Sequence, residues 1–216
     1  DLEEFSAFCA WAKSADMSIP ENYQQFCDTM DLQSFMDYIA VETYINNADW
    51  INGYVNNWQI WHTRTVDESI PKADGKWRFI FYDMDYAGGL YYNENTGYAW
   101  DSLNNNRADG SEYDFLAILE NLMSNPEFAK LFQENYLRII DTCFAPDVVD
   151  ALLDYYVESY KEVTQDTFRR FGLGWAADGY DDSLAHLREF FRERPEYAKQ
   201  YLEAFCAVDR SGPKPM

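Results

Sequence analysis

Six candidate ligand side chains fall in two short polar stretches, NNADWINGYVNN at residues 46–57 and YDMDYAGG at residues 82–89. The first carries Asp49, Asn52, Asn56 and Asn57, and the second Asp83 and Asp85. Carboxylates and amide oxygens with no thiolate or imidazole among them are hard donors, suited to Mg²⁺, Mn²⁺ or Ca²⁺. A single Asn or Asp is ordinarily a cap or a turn residue, so position carries the argument. Asp83 closes the apolar run FIFYD, where a carboxylate is expensive, and Gly88-Gly89 follow shortly after.

Bringing the two stretches together requires a particular set of elements. Residues 57–64, NWQIWHTR, alternate with period two, and residues 76–83, KWRFIFYD, are β-branched and aromatic. Asp74-Gly75 supplies a turn signal between them, so the spacing predicts a two-stranded hairpin whose ends place Asn57 beside Asp83. A helix over 31–47 delivers Asp49 to the same edge. Leu32, Phe35, Met36, Ile39, Ala40 and Thr43 recur at helical spacing behind Asp31 as N-cap.

The rest of the chain is read as helical, giving a mainly α fold with a small β-hairpin (α+β). Helices are expected over 2–14, 113–123, from Pro126 to about residue 140, 146–171 and 181–193, with Pro195 opening another. Gly172 is placed as a helix stop, which makes the GxGxxA spelling at 172–177 a terminator rather than a dinucleotide fingerprint. Residues 86–113 show no periodicity and are rich in Asn, Gly and Tyr, so they are expected to form an irregular, mobile loop.

Composition excludes several classes. Lys+Arg total 17 against 38 Asp+Glu, a net charge of −21. Such a chain repels phosphate backbones and anionic membrane surfaces, so neither nucleic acid nor lipid is an expected partner. No apolar run approaches membrane-spanning length, and the opening DLEEFSAFCAWAK does not read as a secretory signal. Two distant histidines, His62 and His186, do not make a zinc site. Cys9, Cys27, Cys143 and Cys206 lack a CxxC pair and fit buried thiols better than a disulfide framework.

The order helix, acidic loop, hairpin, acidic glycine turn, long loop, helices resembles the C-terminal lobe of a protein kinase. Three departures stand out: no His-Arg precedes Asp49, eight residues separate Asp49 from Asn57, and Met84-Asp85 follow Asp83 where Phe-Gly is usual. With those departures, MDLQSFMDYIAVETYINNADW, NNWQIW and GKWRFIFYDMDYAGG resemble the CotH (spore coat protein H) family of atypical, kinase-like proteins. The match is specific over residues 31–89 and looser over 181–206, around FFRER.

That resemblance implies transfer of the ATP γ-phosphoryl group to Ser or Thr of a protein substrate, with Mg²⁺ or Mn²⁺. Asp49 matches the catalytic carboxylate, Asn57 the metal- or nucleotide-side amide and Asp83 the metal carboxylate, with Asp85 a further acidic ligand. It implies an extracytoplasmic, surface or spore-coat location. It also implies a nucleotide-binding lobe ahead of the helix at 31–47, where only 30 residues with the single lysine Lys13 stand. Residues 1–216 are therefore expected to be one domain, the C-terminal lobe of a longer protein, and inactive alone. Two other classes compete. One is a non-catalytic surface or scaffold domain of the same fold that binds protein or glycan, and the other a glycoside hydrolase using Asp49 with Asp83 or Asp85. Trp50, Trp58, Trp61, Trp77, Trp100 and Trp175 could stack sugars, although core packing is the commoner use of such residues.

Overall fold

The computed structural model describes residues 1–50, 56–106 and 111–210, so Asn52 and the Asp109-Gly110 turn lie outside the described residues. Helices dominate: α1 (Leu2–Ser14), α2 (Pro20–Thr29) and α3 (Leu32–Tyr44) precede strands β1 (Gln59–Trp61) and β2 (Arg78–Ile80). Short α4 (Ser102–Asn105) and α5 (Phe115–Leu122) follow, then α6 (Pro126–Arg138), α7 (Pro146–Arg170), α8 (Gly174–Asp178) and α9 (Tyr180–Ala207). The mainly α architecture with one antiparallel hairpin matches the expectation, and the register pairs Gln59 with Ile80, Ile60 with Phe79 and Trp61 with Arg78.

Helix α3 is the centre of the molecule. The aromatic residues around it make one core: Phe35 meets Phe26 edge-on, Tyr38 stacks on Phe79 at 4.2 Å, and Phe79 meets Phe115 edge-on at 5.0 Å. Its sequence reads as amphipathic, yet Tyr38, Glu42 and Tyr44 are buried together with the expected apolar face. Asp31 has two tasks. Its Oδ1 accepts the Ser34 N–H as helix cap, and its Oδ2 accepts Arg78 Nε at 2.8 Å. Arg78 is itself buried and donates to Asp74 and to the Lys72 and Lys76 carbonyls, so the cap residue of α3 also clamps the hairpin.

The C-terminal end of α3 is held by a second buried arginine. Arg194, on α9, is 1% exposed. It donates to the Thr43 and Tyr44 carbonyls, to Asn46 Oδ1, and to the Tyr98 and Trp100 carbonyls, at 2.7–2.8 Å. Thr43 and Tyr44 end the helix, where carbonyls lack intrahelical partners and the helix dipole is negative, so a cation there is doubly favoured.

Several expectations need correction. Helix α2 was not anticipated, because Phe26 is its only buried residue and little apolar periodicity remains to be read. Pro195 lies inside a continuous α9 rather than opening a new helix. Burial of Phe190, Arg194, Ala198 and Leu202 on either side carries the helix across the lost N–H. Residues 86–113 are not structureless: 3₁₀ turns at Leu90–Tyr92 and Glu94–Thr96 and the Asp101-capped α4 punctuate them. Polar anchors replace the missing apolar pattern, with Thr96 and Ser102 buried and Arg194 holding the backbone at Tyr98 and Trp100. The helix from Pro126 ends in a π-helical turn, Ile139–Cys143.

Gly172 stops α7 with φ +77°, as expected. All four cysteines are free thiols, but only Cys9 is buried; Cys27 and Cys206 are half-buried and Cys143 is exposed, so the expectation of four buried thiols is corrected. Burial pushes the Cys9 thiol up to about 12. No described helix is long and apolar enough to cross a membrane. Trp50 and Trp77 are buried and Trp58 packs against the core, so these three supply no sugar platform.

Arg194 has five oxygen partners and no carboxylate among them; truncation takes the arginine donor from the Thr43, Tyr44 and Tyr98 carbonyls, while the Trp100 carbonyl keeps Asn46 Nδ2 and Asn46 Oδ1 keeps the Ser102 hydroxyl. Arg194→Met is expected to lower unfolding free energy by about 3–5 kcal/mol in urea titration. Arg194→Lys should recover little, since a point-like ammonium cannot span acceptors on two segments. A loss below about 1 kcal/mol for the Met variant would contradict this role.

Candidate active site

The loop after α3 and the exit of β2 are joined by backbone hydrogen bonds. Ala48 N donates to the Tyr86 carbonyl at 2.9 Å, and Gly88 N to the Ile45 carbonyl at 2.9 Å. The segment carrying Asp83 and Asp85 is thereby tied alongside the segment carrying Asp49. Gly88 and Gly89 permit this because both have positive φ, +62° and +86°. A Cβ on Gly88 would lie 2.9 Å from Leu187 Cδ1, and one on Gly89 2.5 Å from His186 Nε2. His186 also bonds the Gly89 carbonyl at 2.9 Å, which fixes the turn onto α9.

Within this frame Asp49 is half-buried and its carboxylate is organised by amides. Asn57 Nδ2 donates to Asp49 Oδ2 at 2.7 Å, and Asn56 Nδ2 approaches Oδ1 at 3.4 Å. Donation through Nδ2 leaves the Asn57 carbonyl oxygen as the amide's acceptor end, the atom a hard cation would take. The ladder pairs Gln59 with Ile80 at one end, so the chain leading in from Asn57 and the chain leading out to Asp83 meet the same end of the hairpin.

Asp83 and Asp85 are exposed, and neither is held in a hydrogen bond or ion pair with any described residue. The expected cost of placing Asp83 at the end of a buried strand is not observed, because Ile80, Phe81 and Tyr82 are 41–49% exposed. What marks the position is backbone geometry instead. Asp83 and Asn57 both adopt the left-handed region, with φ of +52° and +49°, which Asp and Asn tolerate better than most residues. The structure thus joins Asp49, Asn56 and Asn57 directly and ties the Asp83–Asp85 segment beside them through the backbone. Asn52 lies outside the described residues. The donor set of Asn57, Asp83 and Asp85 is all oxygen and fits Mg²⁺ or Mn²⁺.

One neighbour of the site escaped the sequence reading. Glu42, on α3, is fully buried, and burial pushes its carboxyl up to about 7. Its Oε2 accepts Asn47 Nδ2 at 2.9 Å, and Asn47 Oδ1 in turn accepts the Asp49 N–H at 3.1 Å. Among the described residues the other oxygen, Oε1, has no hydrogen-bond partner, nor have the buried Tyr38 hydroxyl and Trp50 Nε1. The only signal in the sequence was a carboxylate next to the apolar positions Ile39 and Thr43 of a strongly patterned helix.

Comparison with known proteins places these features in context. The family model described as CotH kinase protein matches residues 1–198. No curated protein and no solved structure matches the chain.

The raised Glu42 value has a consequence for stability. Between the ordinary value of 4.5 and about 7, the folded state keeps a proton that the unfolded chain releases. Stability from this group therefore falls as pH rises through that window, and the loss is complete above about 7. Glu42→Gln removes the dependence. The variant's stability relative to wild type should rise from about pH 5 to about pH 8 by on the order of 3 kcal/mol. Urea unfolding at both pH values checks it, and a pH-independent difference would contradict the assignment.

Proposed function

Because the chain belongs to the CotH kinase protein family, we propose that it is the catalytic-loop lobe of an atypical protein kinase that transfers the ATP γ-phosphoryl group to a Ser or Thr hydroxyl. The observation that carries this reading is the Asp49–Asn57 hydrogen bond at the hairpin mouth, beside a carboxylate-bearing turn pinned by Gly88-Gly89.

In this mechanism Asp49 accepts a hydrogen bond from the substrate hydroxyl and orients its oxygen toward the γ-phosphorus. The new O–P bond forms as the bond to the β–γ bridging oxygen breaks. ADP leaves, and the hydroxyl proton passes to Asp49 and on to solvent. Asn56 and Asn57 hold the Asp49 carboxylate in place beside the end of the hairpin. Asn57 Oδ1 and the carboxylates of Asp83 and Asp85 would hold Mg²⁺ or Mn²⁺, which neutralises charge on the β- and γ-phosphates when bound. A lobe roofing the nucleotide completes the cleft in this reading, and a surface or coat location of the substrate belongs to it. The scaffold alternative gains nothing from the site, since a binding module does not need an organised Asp49 beside the exposed carboxylates of Asp83 and Asp85. The hydrolase alternative loses two of the six tryptophans that could have lined a sugar site, since Trp50 and Trp77 are buried.

Two outcomes are expected. In the full-length protein, Asp49→Asn should lower kcat by about 10²-fold or more, with ATP affinity within about twofold, because Asp49 serves the hydroxyl rather than the nucleotide. Equal losses of rate and ATP affinity would contradict that division. Calorimetry of Mn²⁺ with ATP should show binding weakened at least about tenfold by Asp83→Ala. Unchanged binding would remove Asp83 from the metal set.

A further inference from the structure

A buried carboxylate needs a reason. Glu42 is 0% exposed, and an apolar side chain at that place on α3 would satisfy the surrounding core at lower cost. Its contacts lead toward Asp49. On one side Oε2 accepts Asn47 Nδ2 at 2.9 Å; Asn47, also 0% exposed, accepts the Asp49 N–H on Oδ1 at 3.1 Å and donates its own N–H to the Glu42 carbonyl at 3.2 Å. On the other side the carboxylate faces the Tyr38 hydroxyl, whose ring meets Trp50 edge-on at 5.7 Å. Asp49 is therefore bracketed by Asn47 and Trp50, and both belong to the neighbourhood of Glu42.

The chemistry of this arrangement is directional. An amide side chain can turn over and exchange its oxygen and nitrogen. Above about pH 7, where Glu42 is ionised, its carboxylate only accepts, so it turns Nδ2 of Asn47 inward and leaves Oδ1 for the Asp49 N–H. An apolar residue in place of Glu42 would leave both orientations open, one of which sets an amide N–H against the Asp49 N–H.

We propose that Glu42 is a positioning residue: its buried carboxylate selects the orientation of the Asn47 amide, and that amide fixes the backbone of Asp49. The proposal rests on the reading of Asp49 as the residue that orients the substrate hydroxyl. It adds a residue that touches neither substrate nor metal yet sets where the carboxylate stands.

The test uses the full-length protein and two independent readouts, amide exchange at the Asp49 N–H and steady-state phosphotransfer to casein with Mn²⁺ and ATP. Asn47→Ala removes the link and takes the Nδ2 hydrogen bond from the Glu42 carboxylate, and Glu42→Leu removes the anchor without leaving a buried charge. Both should speed exchange at Asp49 by about tenfold or more. Both should lower kcat by a similar factor with the KM for ATP unchanged, and the double variant should lose no more than either alone. Glu42→Gln, which can present either a carbonyl or an NH₂ to Asn47, keeps a partner but not the selection, so its exchange rate and kcat should fall between those of wild type and Glu42→Leu. Unaltered Asp49 protection in Asn47→Ala, or additive losses in the double variant, would overturn the proposal. Faster exchange in Asn47→Ala together with an Asp49→Asn variant that phosphorylates at the wild-type rate would uphold the Glu42 link and overturn the role given to Asp49.

Discussion

A guanidinium buried among carbonyls sets the arrangement of this protein. Arg194 has left water without a carboxylate to meet it, and burial pulls its pKa down. Its charge is compensated by helix-end carbonyls and by amide and loop oxygens. Such a group tolerates only a structure in which all those oxygens converge, since each lost partner leaves a desolvated N–H. Three segments distant in sequence are thereby fixed together: the end of α3, the backbone at Tyr98 and Trp100, and α9. Asn46 extends the junction by donating to the Gly97 and Trp100 carbonyls and accepting Ser102 Oγ–H and Arg194 Nη2 on one oxygen.

The candidate site begins where this junction ends. Asn46 turns the chain with φ +54°, and Asn47, Ala48 and Asp49 follow directly. The Ala48 N–H then donates to the Tyr86 carbonyl, just past Asp83 and Asp85, while the Gly88 N–H returns to the Ile45 carbonyl. At its other end α3 is clamped to the hairpin by the Asp31–Arg78 pair, a buried ion pair whose benefit lies more in fixing register than in net energy. One helix anchored by an arginine at each end therefore sets the relation between Asp49 and the hairpin. The carboxylates and amides at the mouth can remain exposed and lightly held because the scaffold beneath them is not.

Much of this was legible in the sequence. The helical spacing of Phe35, Met36 and Ile39, the alternation through Trp58 and Ile60, and the Asp74-Gly75 turn were strong local signals, and they yielded the elements that position Asp49, Asn57 and Asp83. The residues that hold those elements were not legible. Arg194 and Arg78 look like solvent-exposed charges in any window, and their burial depends on oxygens supplied from up to about 150 residues away. Glu42 is hidden for the same reason, since its partners become neighbours only when α3 ends at Tyr44 and the chain turns at Asn46. The loop after Ala87 read as structureless because its order comes from polar anchors rather than periodicity. Pro195 read as a helix start because its local rule is strong, and packing on both sides overrode it.

The central claim is that the Asp49 loop and the exit of β2 form one metal–nucleotide site. The most direct measurement is anomalous diffraction from crystals of the full-length protein grown with Mn²⁺ and a non-hydrolysable ATP analogue. A manganese peak about 2.0–2.3 Å from oxygens of Asp83 and Asn57, with the γ-phosphate facing Asp49, is the predicted result. A peak at another carboxylate cluster, such as that of Asp1, Glu4 and His62, with none between Asn57 and Asp83, would contradict it.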